Sequence, residues 1–78
     1  MALFPTMKSK QVLRLLLSNR FDYEIVRQRG SHRTLRSPRF PRIIYSYHDD
    51  KELSSGELRT LFCNTIGLTL NQALEVLR

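Results

Sequence analysis

The sequence is poor in the residues that staple, ligate or anchor a protein. Its one cysteine, Cys63, cannot close an internal disulfide. Its two histidines, His32 and His48, form no cluster with zinc-ligand spacing. No apolar run approaches the roughly 20 residues of a membrane span, and the stretch from Met1 to Met7 is too short and too weakly apolar for a signal peptide. These absences exclude a disulfide scaffold, a zinc module and a membrane-spanning chain, and they predict a soluble protein of a reducing cytoplasm. A chain of 78 residues has room for one domain, and at this size only about 60% of the unfolded surface is buried, so the core is thin.

Acidic residues are missing from one place in particular. Arg27, Arg29, Arg33, Arg36, Arg39 and Arg42 fall in a stretch that holds no Asp or Glu, within a chain of net charge +6. Guanidinium forks match phosphate oxygens and stay charged at any working pH, so this cluster suits a polyanion. A solvated basic face, or one that meets an acidic protein, would carry the same charge. The hydrophobic content of 41% is high enough for a globular fold rather than a disordered tail.

Periodicity orders the chain. Residues 1–6 lack it and read as a poorly structured leader, leaving residues 7–78 as a single domain. From Lys8 to Asn19, Val12, Leu13, Leu16 and Leu17 recur at helical spacing, with Thr6 or Ser9 as the N-cap. Phe21 to Gln28 is rich in aromatic and β-branched residues and reads as a strand, punctuated by Gly30-Ser31. His32 to Arg36 follows as a strand in which His32, Thr34 and Arg36 share one face, while Arg33 and Leu35 share the other. Ser37-Pro38-Arg39-Phe40-Pro41 is a turn by composition, and Ile43 to Tyr47 is a third strand. His48-Asp49-Asp50-Lys51 is a polar connection. Ser54 and Glu57 then have capping-box spacing ahead of a helical stripe of Leu58, Leu61, Phe62 and Thr65, which stops at Gly67. The same punctuation recurs at Thr69 and Gln72 before a short terminal helix. The order predicts an α+β fold of the double-stranded-RNA-binding-domain kind, with a three-stranded antiparallel meander and helices on one of its faces.

His32 is the residue best placed for chemistry. It follows a Gly-Ser pair at a strand junction inside the arginine cluster, and imidazole can accept or donate a proton near neutral pH. Gly30 permits close approach of a phosphate to the backbone, with Ser31 beside it. RNA cleavage needs a base for the 2′-hydroxyl proton, an acid for the leaving 5′-oxygen and cations to hold the phosphate. His32 supplies one proton-transfer group, and Arg27, Arg29, Arg33 and Arg36 supply the cations. His48 is a candidate for the second group, although Asp49 and Asp50 beside it read as a solvated loop. Alternative readings are a His32 that only closes a turn, and an RNA-binding module with no catalysis. Tyr45 and Tyr47 stack on bases if their face is open and belong to the core if it is not. Cys63 reads as a small buried residue rather than a nucleophile.

Several strings together resemble a known family. Met7-Lys8-Ser9-Lys10 opens the first helix; Phe21 leads through Val26-Arg27-Gln28-Arg29-Gly30-Ser31-His32; Lys51-Glu52-Leu53 and Gly56 precede Leu58-Arg59. In this order they resemble HicA-type mRNA interferase toxins from Met7 to the C-terminus. The resemblance implies a type II toxin, a metal-independent endoribonuclease that cleaves mRNA and inhibits translation, with no cofactor. It implies His32 as the catalytic histidine, Gly30 as the glycine of the same motif, and a HicB-like antitoxin that covers His32. The chain departs from the family at Ser46-Tyr47-His48, where a proline commonly ends the third strand, and in the turn at residues 37–41, which lacks the usual Asp-Gly.

Overall fold

Ser9, Val12 and Leu16 fall on one stripe of a helix and are fully buried, which fixes how the first helix packs. This helix, α1 (Ser9–Leu17), follows a two-residue strand, β1 (Met7–Lys8). In the computed structural model, which describes residues 4–48 and 50–77, the chain continues through β2 (Glu24–Arg29), β3 (His32–Arg36), β4 (Ile43–Ser46) and β5 (Glu52–Leu53). It ends in α2 (Ser55–Arg59), a π-helical segment (Thr60–Thr65) that extends α2, and α3 (Leu70–Val76). Met1, Ala2 and Leu3 of the leader and Asp49 of the polar connection lie outside the described residues. Within the leader, Phe4 is partly buried and packs against the core.

The antiparallel meander is present, in the order β2-β3-β4. One face of it carries Leu35, Ile43 and Tyr45, which join Val12 and Leu16 of α1, Leu58 of α2, Phe62 of the π segment and Ala73 of α3 in one core. The predicted α+β architecture, with helices gathered over one sheet face, is therefore the observed one.

Several local expectations need correction. The first meander strand starts at Glu24 rather than Phe21, because Asp22 holds a positive φ of 57° that no strand continues through. Phe21 and Tyr23 on either side of it are instead buried core residues. Asp22 is fixed there by Arg39, whose guanidinium pairs with its carboxylate at 3.0 Å and donates to the carbonyls of Asn19 and Arg20. Neither Thr6 nor Ser9 caps α1. Lys8 is the cap residue, and the Gln11 side chain accepts from its N–H at 3.1 Å. Ser9 is drawn inside because its hydroxyl meets the Tyr45 hydroxyl at 2.9 Å, while Tyr45 also donates to the Ser9 carbonyl.

A second, two-stranded sheet pairs β1 with β5, Met7 opposite Leu53 and Lys8 opposite Glu52. Two residues carry no periodicity, so nothing local announces such a pair. In the second helical region Ile66, not Thr65, is buried with Leu58 and Phe62. The cause is the wider π turn, in which the Ile66 N–H reaches back to the Leu61 carbonyl, so the stripe advances by four residues each time. Gly67 ends this segment at φ 95°, as its place in the sequence predicts. Both capping boxes form: Ser54 with Glu57, and Thr69 with Gln72. The backbone N–H of Ser54, followed by Lys51, lowers the Glu57 pKa and keeps this carboxylate charged.

Candidate nucleic-acid interface

The second face of the meander carries no helix among the described residues, and its composition follows from strand register. Two residues, Gly30 and Ser31, join Arg29 to His32. Gly30 holds φ 57°, whereas Ser31 is not among the residues with positive φ. That is the pattern of a two-residue hairpin turn with glycine first, whose twist matches the strands it joins. Arg33 secures the turn by donating to the Gly30 carbonyl at 2.8 Å. A Cβ on Gly30 would touch nothing within 4 Å, so replacing it costs only backbone strain. Gly30→Ala is expected to lower stability by about 1–2 kcal/mol, the penalty of a left-handed L-residue. A denaturant midpoint shifted with an unchanged m-value checks this.

From this turn, cross-strand partners point to the same side of the sheet. Arg29, His32 and Ser46 form one row of the open face, since Arg29 pairs with His32 and His32 with Ser46. The next open row is Arg27, Thr34 and Ile44. Beyond it lie Glu24 and Arg36, again paired. The intervening row, Ile25, Leu35 and Ile43, belongs to the core side. A bulge at Val26 lets β2 keep this phase, because the register steps from Ile25 directly to Arg27 while β3 advances by one residue. Without that extra residue Arg27 and Arg29 would turn to the other face.

The arginines that the sequence presents as one cluster are thus divided by the fold. Arg27, Arg29 and Arg36 are exposed on the face of His32, itself exposed at the start of the central strand. Arg33 is not brought to them. It shares the opposite face with Leu35, lies 5.0 Å from the Tyr47 ring centroid and braces the Gly30 turn. Arg39 clamps Asp22 and stacks on Phe40, and Arg42 lines a groove beside β4.

The tyrosines belong to the core side as well. Tyr45 is buried, and burial, partly offset by its Ser9 hydrogen bond, raises its pKa. Burial likewise pushes Tyr23 up to about 12, so its hydroxyl remains a donor to the Pro41 carbonyl at neutral pH. Tyr47 is half-buried beneath Arg33. Neither Tyr45 nor Tyr47 offers an open ring for a base.

Two features of the open face escape a reading of the sequence by composition. Ile44 is 66% exposed between the cationic rows, a large apolar side chain with nothing over it. Ser46, a neutral strand residue, lies opposite His32, and its hydroxyl is 3.4 Å from His48 Nε2. The signal that finds both is the parity of β4: Ile44, Ser46 and then His48 fall on alternate positions from the buried Ile43 and Tyr45. No group of three or more metal-ligating side chains occurs among the described residues. No helix among them is long and apolar enough to cross a membrane.

Comparison with known proteins gives one match. The family model described as HicA toxin of bacterial toxin-antitoxin matches residues 9–73, a span that takes in α1, the whole meander, α2, the π segment and the first half of α3. No curated protein and no solved structure gives a significant match. The matched span covers most of the 78 residues, and the observed α+β architecture is that of the double-stranded-RNA-binding-domain-like HicA fold. The chain belongs to the HicA toxin family of bacterial toxin-antitoxin systems.

Proposed function

We propose that the chain is an endoribonuclease that cleaves mRNA without metal and so inhibits translation, with His32 transferring a proton at the scissile phosphate. The observation that carries this reading is the row Arg29, His32, Ser46 on an uncovered sheet face, with Arg27 in the adjoining row. An exposed imidazole in the central strand, with guanidinium groups in its own row and the next, meets the needs of 2′-hydroxyl attack. The imidazole moves a proton, and the cations hold the phosphate and stabilise its extra charge. The Gly30 turn directs the strand end toward solvent and leaves room for the RNA backbone beside it. A HicB-like antitoxin neutralises this activity by covering His32. Acidic groups on it would meet Arg27, Arg29 and Arg36, and an apolar group would cover Ile44.

The test is incubation of the purified protein with a defined RNA in the presence of a chelator, followed by mapping of the ends. New 2′,3′-cyclic phosphate and 5′-hydroxyl ends support the reading. Saturable binding with no new ends would instead make the chain an RNA-binding module that blocks translation by occupancy.

The division of the arginines also sets the salt dependence of RNA binding. Three open-face arginines neutralising three phosphates give a log–log slope of about −2 for single-stranded RNA. Arg27→Ala is expected to reduce that slope by about 0.7, whereas Arg33→Ala, on the opposite face, leaves it unchanged. Titrations across a salt series measure both.

A further inference from the structure

Transesterification of RNA moves two protons, one off the 2′-oxygen and one onto the 5′-oxygen, and His32 alone handles one of them at a time. The register of the sheet sets Ser46 opposite His32, and a second imidazole, His48, contacts Ser46. The Tyr47 N–H donates to the Ser31 carbonyl at 2.7 Å, so this opposed pair is of the hydrogen-bonded kind. Bonded and non-bonded pairs alternate in an antiparallel ladder, which makes the next pair, Ser46 opposite His32, non-bonded. In such pairs the Cα atoms are about 4.5 Å apart and the side chains are at their closest. Ser46 in turn holds His48, its hydroxyl 3.4 Å from Nε2. Both imidazoles are exposed; His32 is the cross-strand partner of Ser46, and His48 Nε2 lies 3.4 Å from the Ser46 hydroxyl.

We propose, on the basis of the ribonuclease reading, that His48 is the second proton-transfer group of this site and that Ser46 is the positioning residue that keeps it beside His32. The step balances with these two groups alone. One imidazole, neutral, takes the proton of the 2′-hydroxyl as that oxygen bonds to phosphorus. The bond from phosphorus to the 5′-oxygen breaks, and the leaving oxygen takes a proton from the other imidazole, which enters as the cation. The products are a 2′,3′-cyclic phosphate and a 5′-hydroxyl, and the two imidazoles have exchanged protonation states, which solvent resets. The nearby charged groups among the described residues are Arg29, paired with His32 on β2, and Asp50 and Lys51; in the sequence Asp49 directly follows His48. The Lys51 ammonium is engaged with Glu57 at 3.1 Å.

The test compares wild type, His32→Ala, His48→Ala and His48→Gln on one defined RNA, with kcat and KM measured across pH and folding checked by thermal melts. His48→Ala is expected to lower kcat by about 10²- to 10⁴-fold with little change in KM, and to reduce a bell-shaped pH profile to a single limb. His48→Gln retains a donor for Ser46 but cannot titrate, so it is expected to be as impaired as alanine. If glutamine restores the rate, or if His48→Ala cleaves at the wild-type rate with both limbs while His32→Ala is inactive, the proposal for His48 is overturned and the ribonuclease reading stands. A wild-type protein that cleaves no RNA overturns both.

Discussion

His32→Ala is expected to abolish RNA cleavage and growth arrest while leaving both the fold and RNA binding intact. Loss of a proton-transfer group lowers the rate by about 10²- to 10⁴-fold. The structural cost is small for a specific reason. His32 is exposed at the strand end, and the ladder to Arg29 is made by its backbone, which alanine keeps. Exposed substitutions of this kind change stability by less than about 0.5 kcal/mol. Arg27, Arg29 and Arg36 remain on the same face, so the affinity for RNA and its salt slope are expected to match wild type. End mapping, binding titration and a thermal melt on one preparation separate the three quantities. A folded His32→Ala protein that still cleaves ends the assignment of proton transfer to this residue. One that neither cleaves nor binds would show that His32 acts in holding RNA rather than in cutting it.

The position of His32 was legible in the sequence because it depends on short-range rules. Gly30-Ser31 specifies a tight turn, and alternation then puts His32 and Thr34 on one side and Leu35 on the other. The capping pairs Ser54 with Glu57 and Thr69 with Gln72 are equally local, and both form as their spacing predicts. What was not legible depends on contacts between distant residues. Ser9 has the composition of a helix cap, yet Tyr45, 36 residues away, pulls it into the core. β1 and β5 are too short to have a pattern and exist only through each other. The bulge at Val26 has no sequence signature of its own, and it decides which face Arg27 and Arg29 occupy. Alternation along the strand already sets Arg33 on the face opposite His32, although the two are neighbours in the chain. His48 resembles part of a solvated loop until register sets Ser46 opposite His32.

The open face keeps its shape through a residue buried under the opposite face of the sheet, and its loss is expected to unfold much of the population. Phe62 is fully buried in the π segment, 5.7 Å from the Phe21 ring centroid, and Phe21 in turn packs on Tyr23 and Phe40. Phe62→Ala removes the ring that packs on Phe21 and leaves a cavity in the core, at a cost of about 3–5 kcal/mol. A single core of this size seldom supplies more than about 3–5 kcal/mol, so the variant sits near its unfolding midpoint. At roughly 4–8 °C per kcal/mol for a domain of this size, the fall in Tm is well over about 10 °C. Ile44→Ala, which truncates a side chain 66% exposed, is the matched control and is expected to leave Tm nearly unchanged. Both Phe62→Ala and His32→Ala then lose toxicity, for different reasons that one measurement separates. The folded fraction of Phe62→Ala still carries the complete row Arg29, His32, Ser46, so its cleavage rate per folded molecule is that of wild type. A partner that binds only the folded state, as an antitoxin covering this face would, raises the Tm of Phe62→Ala by mass action. It does the same for His32→Ala without restoring cleavage once removed. If Phe62→Ala melts within a few degrees of wild type, the core drawn here around Phe62 is wrong.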